Sequence, residues 1–221
     1  SSMYLTSTLG VSYALNERVS VAAAGRFLNA KNTTKAGMTL TQSPYDLPDQ
    51  PLALNTEDKA SGFGGVIAVM MKAAPRLNVT MRYETAVKLD FTTHTTTDDF
   101  GATVDGSKSR RDLPAVFALG TAYAASEKVK VYGDFNYFFQ TAANWGNSGP
   151  ATEGKSWSEM AGNAYAVTLA TTFQVGTKTL FSVGGGYTDF MYNDMAGYYT
   201  KAGAYETVYN DNINLNTGFS Y

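Results

Sequence analysis

Nine stretches of this chain alternate apolar and polar residues, each for 11 to 15 residues: 4–15, 18–29, 61–73, 77–91, 113–125, 129–141, 163–175, 178–190 and 211–221. A period of two is the signature of β-strands. The stretch LNVTMRYETAVKLDF (77–91) carries it furthest, setting Leu77, Val79, Met81, Tyr83, Val87, Leu89 and Phe91 against Asn78, Thr80, Arg82, Glu84, Lys88 and Asp90. Strands of soluble domains usually run ~5–6 residues, whereas a tilted strand that crosses a bilayer needs ~9–11. Segments this long point to the second kind.

The connections alternate as well. Tight turns at Asn16-Glu17, Ala74-Pro75-Arg76, Ser126-Glu127-Lys128 and Gly176-Thr177 take turns with long polar excursions at 30–60, 92–112, 142–162 and 191–210. Loops beyond ~12–15 residues are uncommon in compact soluble domains, and here four fall on the same end of the sheet. Membrane barrels combine short turns at one rim with long loops at the other. Tyr13, Phe27, Phe91, Tyr123, Phe139, Phe173, Tyr187 and Phe219 lie near strand ends, where interfacial aromatic girdles belong. The expected fold is therefore all-β: a transmembrane antiparallel β-barrel whose apolar face meets lipid and whose polar face meets the lumen.

Composition narrows the partners. A net charge of -2 lacks the basic footprint of a nucleic-acid-binding protein. The longest apolar run, GVIAVMMK, is far short of the ~20 residues of a membrane helix. There is no cysteine, which suits a chain that crosses an oxidising compartment. The chain opens on SSMYLTSTLGVSYAL, already alternating like a strand, so no leader is expected here.

Two segments carry a resemblance. MRYETAVKLDF (81–91) and RRDLPAVFALGTAYAASEKVKVYGDFNYFFQ (110–140) are similar to the FadL family of outer-membrane transporters for long-chain fatty acids and other hydrophobic compounds. The matching positions are Tyr83, Thr85 or Ala86, Val87, Lys88, Asp90 and Phe91, then Leu113 and Pro114; LGVSYALNERVSVAAAGRF (9–27) and NLNTGFSY (214–221) are similar but less specific. The resemblance implies a 14-stranded barrel in the bacterial outer membrane with an N-terminal hatch. Ligand would land in an apolar extracellular groove and pass through a pocket toward an opening in the wall. The hatch, the early Asn-Pro-Ala signature and about two closing strands have no counterpart here, so residues 1–221 are expected to be a barrel domain incomplete at both ends.

On this reading Met38, Leu40, Tyr45, Leu47, Leu52 and Leu54 of the 30–60 excursion are candidates for the ligand groove, or else for a small core of the loop itself. Arg82, Glu84, Lys88 and Asp90, with Tyr132 and Phe138, are expected to face the lumen. The charged four form either a structural network or a path for a carboxylate head group. Arg26 and Lys130 are weaker versions of the same idea, and Phe138 and Tyr132, like Leu28 and Met70, either line an apolar passage or pack against a plug. His94, near Asp98 and Asp99, reads as a solvated loop rather than a metal site. No Gly-x-Ser-x-Gly elbow and no second histidine support acyl-transfer catalysis. GFGG (62–65) and GGGY (184–187) lie inside strands and lack the following helix of a nucleotide site. The function expected is passive uptake of hydrophobic compounds, with no enzyme activity and no cofactor. The partners are the lipid bilayer and a hydrophobic ligand. A water-filled porin or a structural or adhesive barrel is the alternative, and a soluble all-β binding domain stands below both.

Overall fold

The computed structural model describes residues 1–40, 49–146, 156–191 and 211–220. They build one antiparallel sheet of eleven strands: β1 (Ser2–Ala14), β2 (Val19–Leu40), β3 (Gln50–Ala74), β4 (Leu77–Glu84), β5 (Asp90–Asp98), β6 (Lys108–Arg110), β7 (Ala115–Ala124), β8 (Val129–Phe139), β9 (Asn163–Val175), β10 (Thr179–Met191) and β11 (Asn212–Ser220). Nine of them follow one another as a wall, β1-β2-β3-β4-β7-β8-β9-β10-β11, while β5 pairs with β3 and with β6.

The register of that wall shows why the period of two was so strict. One row of directly paired residues reads Tyr13, Val21, Val69, Met81, Leu119, Phe135, Val167, Tyr187, Ile213. The next row reads Ser12, Ala22, Ala68, Arg82, Ala118, Asn136, Ala166, Thr188, Asn212. Paired residues share a face, so one face is apolar across nine strands and the other is small and polar. The apolar face stays open to the surroundings: Phe63, Ile67 and Leu169 are 77%, 61% and 61% exposed. A soluble sheet buries such a face; a continuous exposed one of this size is a membrane face. This is the wall of a transmembrane β-barrel.

Two expectations change. The excursion 30–60 is no loop over most of its length: β2 and β3 stay paired up to Leu40 and Gln50, far past the length a bilayer needs. In water both faces of this extension are polar enough that the period of two fades, which hid it. The excursion 92–112 likewise continues as β5 and β6. Helical periodicity gave no signal for the five-residue helix α1 (Trp157–Ala161), which forms because Ser156 and Glu159 make a capping box. The long excursion at 191–210 lies almost wholly outside the described residues.

Candidate functional site

The largest departure from a regular wall falls inside the stretch 77–91. It is not one strand. The ladder between β3 and β4 ends where the Thr85 amide donates to Gly65 O (2.9 Å) and the Gly65 amide donates to Thr85 Oγ1 (2.8 Å). It resumes only at Lys59, paired with Thr92 of β5. Five residues of β3 (60–64) thus stand opposite six of the neighbouring chain (86–91). One extra residue reverses the parity of the side chains beyond it, until a second shift between Asn55 and Thr56 restores it.

Val87 and Leu89 show the consequence. Expected on the lipid face with Met81, they are instead 0% exposed, packed with Leu28, Ala30 and Phe91 against Ala60 and Leu113 on the inner face of β2 and β3. Lys88 and Asp90, expected beside Arg82 and Glu84, lie exposed on the opposite side of the segment. The correction follows from the extra residue alone.

Glycines make room for the inward segment. A Cβ on Gly62 would overlap the Lys88 carbonyl oxygen, and one on Gly64 would sit 2.8 Å from Val87 Cγ2 and 3.1 Å from Arg26 Nε. The segment turns its backbone bonds to the other neighbour: Val87 and Leu113 exchange both (3.0 and 2.9 Å), and the Arg111 amide donates to Leu89 O (3.0 Å). Arg26, on β2 opposite Gly64, braces the near edge of the break. Its Nη2 donates to Thr85 O (3.0 Å), its Nη1 pairs with Glu84, and Glu84 also meets Arg82 Nε at 3.1 Å. On the outer side, small residues Ala23, Gly25 and Gly65 floor a groove of about 700 Å³ walled by Leu9, Val11, Ile67, Tyr83 and Thr85.

Replacing Arg26 with leucine removes the donor of the Thr85 carbonyl and leaves Glu84 with Arg82 alone. Losing partners of half-buried polar groups costs about 1–3 kcal/mol. The expected result is a lower urea midpoint in micelles, and an unchanged midpoint would show that Arg26 braces nothing.

The other expected site residues are placed as follows. Met38 pairs with Leu52, and Leu54 with Ala36, so with Leu40 these four sit on the hairpin extension, on the same strand face as Leu28 and Ala30 but separated from them by Asn32, Thr34, Thr56 and Asp58. Tyr45 and Leu47 lie outside the described residues. Tyr132 lines a polar recess near the tight turns with Lys128, Lys130, Gln174 and Lys178. Phe138 pairs with Val116 and Ala164, half-buried on the inner face. Met70 is on the inner-face parity and 45% exposed. His94 Nδ1 lies 3.1 Å from Asp105 Oδ1, while Asp98 and Asp99 instead accept backbone amides of neighbouring segments. On the extension, hydrogen bonds from Lys31 and then Lys59 hold the Glu57 carboxyl down at about 2. A carboxyl lowered in this way keeps its ion pairs above its ordinary pKa and loses them only as pH falls through that low value.

Sequence reasoning missed Asp112, whose carboxylate is buried at 6% side-chain exposure and paired with Arg110 (2.9 Å). The signal was present in RRDLP, where an acid follows two arginines directly before the Leu-Pro.

A long-stranded wall with an apolar outer face, a glycine-lined break and an apolar inner cluster at that break defines a class: barrels whose wall is interrupted beside a greasy interior. Several solved structures resemble the chain in fold. It superposes on the CymD monoaromatic hydrocarbon channel with a TM-score of 0.62 at 13% identity, covering 100% of this chain and 64% of that one. The Ralstonia pickettii toluene transporter TbuX gives 0.55 at 12% identity over 87% of this chain and 60% of that one. The P. putida toluene transporter TodX gives 0.56 at 12% identity, 85% and 55%. The chain thus spans less than two thirds of the length of these structures. No family model and no curated protein sequence matches it.

Proposed function

We propose that this chain is the greater part of an outer-membrane barrel of the FadL type that lets small hydrophobic compounds cross passively, without catalysis or a cofactor. Ligands of the size and apolarity of monoaromatic hydrocarbons, or the chains of fatty acids, are its cargo. The long-loop rim faces outward, where Met38, Leu40, Leu52 and Leu54 offer a landing surface. The break between β3 and the segment 86–91 is the way out of the barrel. The observation that carries this reading is the break itself: it puts the buried apolar cluster of Val87, Leu89 and Phe91 beside an interruption in a wall whose outer face is made for lipid. The likeness to hydrocarbon channels supports the same cargo.

Glu84, paired with both Arg26 and Arg82, ties these charges into a structural network of the inner face rather than a head-group path. The test is uptake of radiolabelled toluene and of a long-chain fatty acid by proteoliposomes holding the full-length protein, beside bilayer conductance. Uptake above that of empty vesicles with little ion current is expected. Large steady currents without hydrocarbon uptake would make the protein a water-filled porin.

A further inference from the structure

We infer that Asp112 is a positioning residue that couples the β8–β9 connection to the inward segment 86–91, so that the geometry of the wall break depends on that connection. The inference deepens the transport reading and rests on it only for its effect on uptake.

Asp112 gathers three parts of the chain. Its Oδ1 accepts the Leu89 amide (3.1 Å) and Arg110 Nε (2.9 Å), and its Oδ2 accepts Arg110 Nη2 (2.9 Å) and the Asn144 amide (3.3 Å). Its own amide donates to Asn144 O (2.9 Å), and its carbonyl accepts Trp145 Nε1 (2.8 Å). One buried residue therefore binds the inward segment through Leu89 and the β8–β9 connection through Asn144 and Trp145. Arg111 adds to the seam, its guanidinium standing 5.2 Å from the centre of the Trp145 ring.

The far side of that connection is fixed as firmly. Ser158, fully buried at the start of α1, donates its hydroxyl to Ala143 O, Ser156 Oγ accepts the Trp145 amide (3.2 Å), and the Trp157 amide donates to Gly146 O (2.9 Å). The residues 143–146 are thus clamped between α1 and Asp112. A shift of α1 reaches residues 143 and 144, then Asp112, then the Leu89 amide, through a relay of hydrogen bonds in which Ser158, Ala143, Asp112 and Leu89 are buried. The Arg110 fork holds the carboxylate charged and fixed in orientation, which a neutral side chain at 112 would not reproduce.

These 221 residues hold no cysteine, so once any cysteine elsewhere in the full-length protein is replaced by serine the introduced ones report cleanly. Nitroxides on Ser61→Cys and Lys88→Cys, both exposed and on the two sides of the break, measure its width by pulsed electron resonance. The full-length protein is expected to give one narrow distance distribution. Asp112→Ala should broaden it, Asp112→Asn should broaden it less because an amide oxygen still serves Leu89, and Ser158→Ala should broaden it from the α1 side.

Once Asp112 is alanine, adding Ser158→Ala should change nothing more, as residues acting through one link are not additive. Hydrocarbon uptake should fall at least tenfold in Asp112→Ala. Heat-modified migration on unboiled gels checks that each barrel is folded; should Asp112→Ala fail to fold, Asp112→Asn and Ser158→Ala decide. A distribution that ignores Ser158→Ala, or broadens additively in the double variant, overturns the coupling. If the unaltered protein takes up no hydrocarbon, the transport reading falls, while the distances still decide this one.

Discussion

A single methyl group at position 62 is expected to abolish the inward segment. In Gly62→Ala the new Cβ would overlap the backbone oxygen of Lys88 and lie 2.6 Å from Val87 Cγ1 and 3.2 Å from Leu89 Cδ2. The nearest obstacle is main chain, so no rotamer change relieves it. Segment 86–91 must lift off the inner face of β3, taking Val87 and Leu89 out of the cluster they form with Leu28, Ala30 and Phe91. Overpacking of this kind costs about 1–3 kcal/mol, and the functional loss should be larger, because the break owes its shape to the displaced residues. At least a tenfold drop in hydrocarbon uptake is expected, with a lowered urea midpoint. Gly37→Ala is the control, since a Cβ there meets only Leu52 O at 3.7 Å, an ordinary contact. Wild-type uptake by Gly62→Ala would mean that the inward segment has no part in passage.

The same segment explains what the sequence could and could not disclose. Strand parity was legible wherever a residue met either lipid or lumen, as in Met81 against Arg82 or Phe135 against Asn136, because those two surroundings select opposite side chains. The turn positions were legible too, helped by residues such as Gly176, whose φ of 73° suits glycine. The break was not. Between Tyr83 and Val87 the odd positions pass from lipid to a protein interior, and both surroundings reward apolar groups alike. Alternation therefore continued unbroken through LNVTMRYETAVKLDF while the residues changed sides. The faint trace lay in the partner strand, where Gly62 and Gly64 leave two gaps on one face at a spacing that only a close approach of backbone requires. Asp112 was hidden for a different reason: its partners, Leu89, Asn144 and Trp145, are 23 to 33 residues away and no local pattern joins them.

The membrane reading predicts opposite outcomes for two neighbouring substitutions near the middle of β9. Leu169 lies on the outer face, 61% exposed, and is paired with Gly133 and Gly185. An arginine there would stand in hydrocarbon with no partner, and cationic residues at such depth cost about 2–4 kcal/mol. Leu169→Arg should therefore unfold from vesicles at markedly lower urea, or fail to insert. Thr168 is the next residue, on the inner face and directly paired with Asp134 and with Gly186. An arginine at 168 meets a carboxylate across the strand and a glycine on its other side, so Thr168→Arg should lie within about 1 kcal/mol of the unaltered chain. In a soluble sheet with its apolar face toward water, the order would invert: an arginine replacing an exposed leucine would be harmless, and one forced into a packed interior would not. The two positions share a strand and a depth, so the contrast depends on the solvent of each face and on the carboxylate that only position 168 faces. Equal urea midpoints for the two variants in vesicles would leave the lipid-facing row without its lipid.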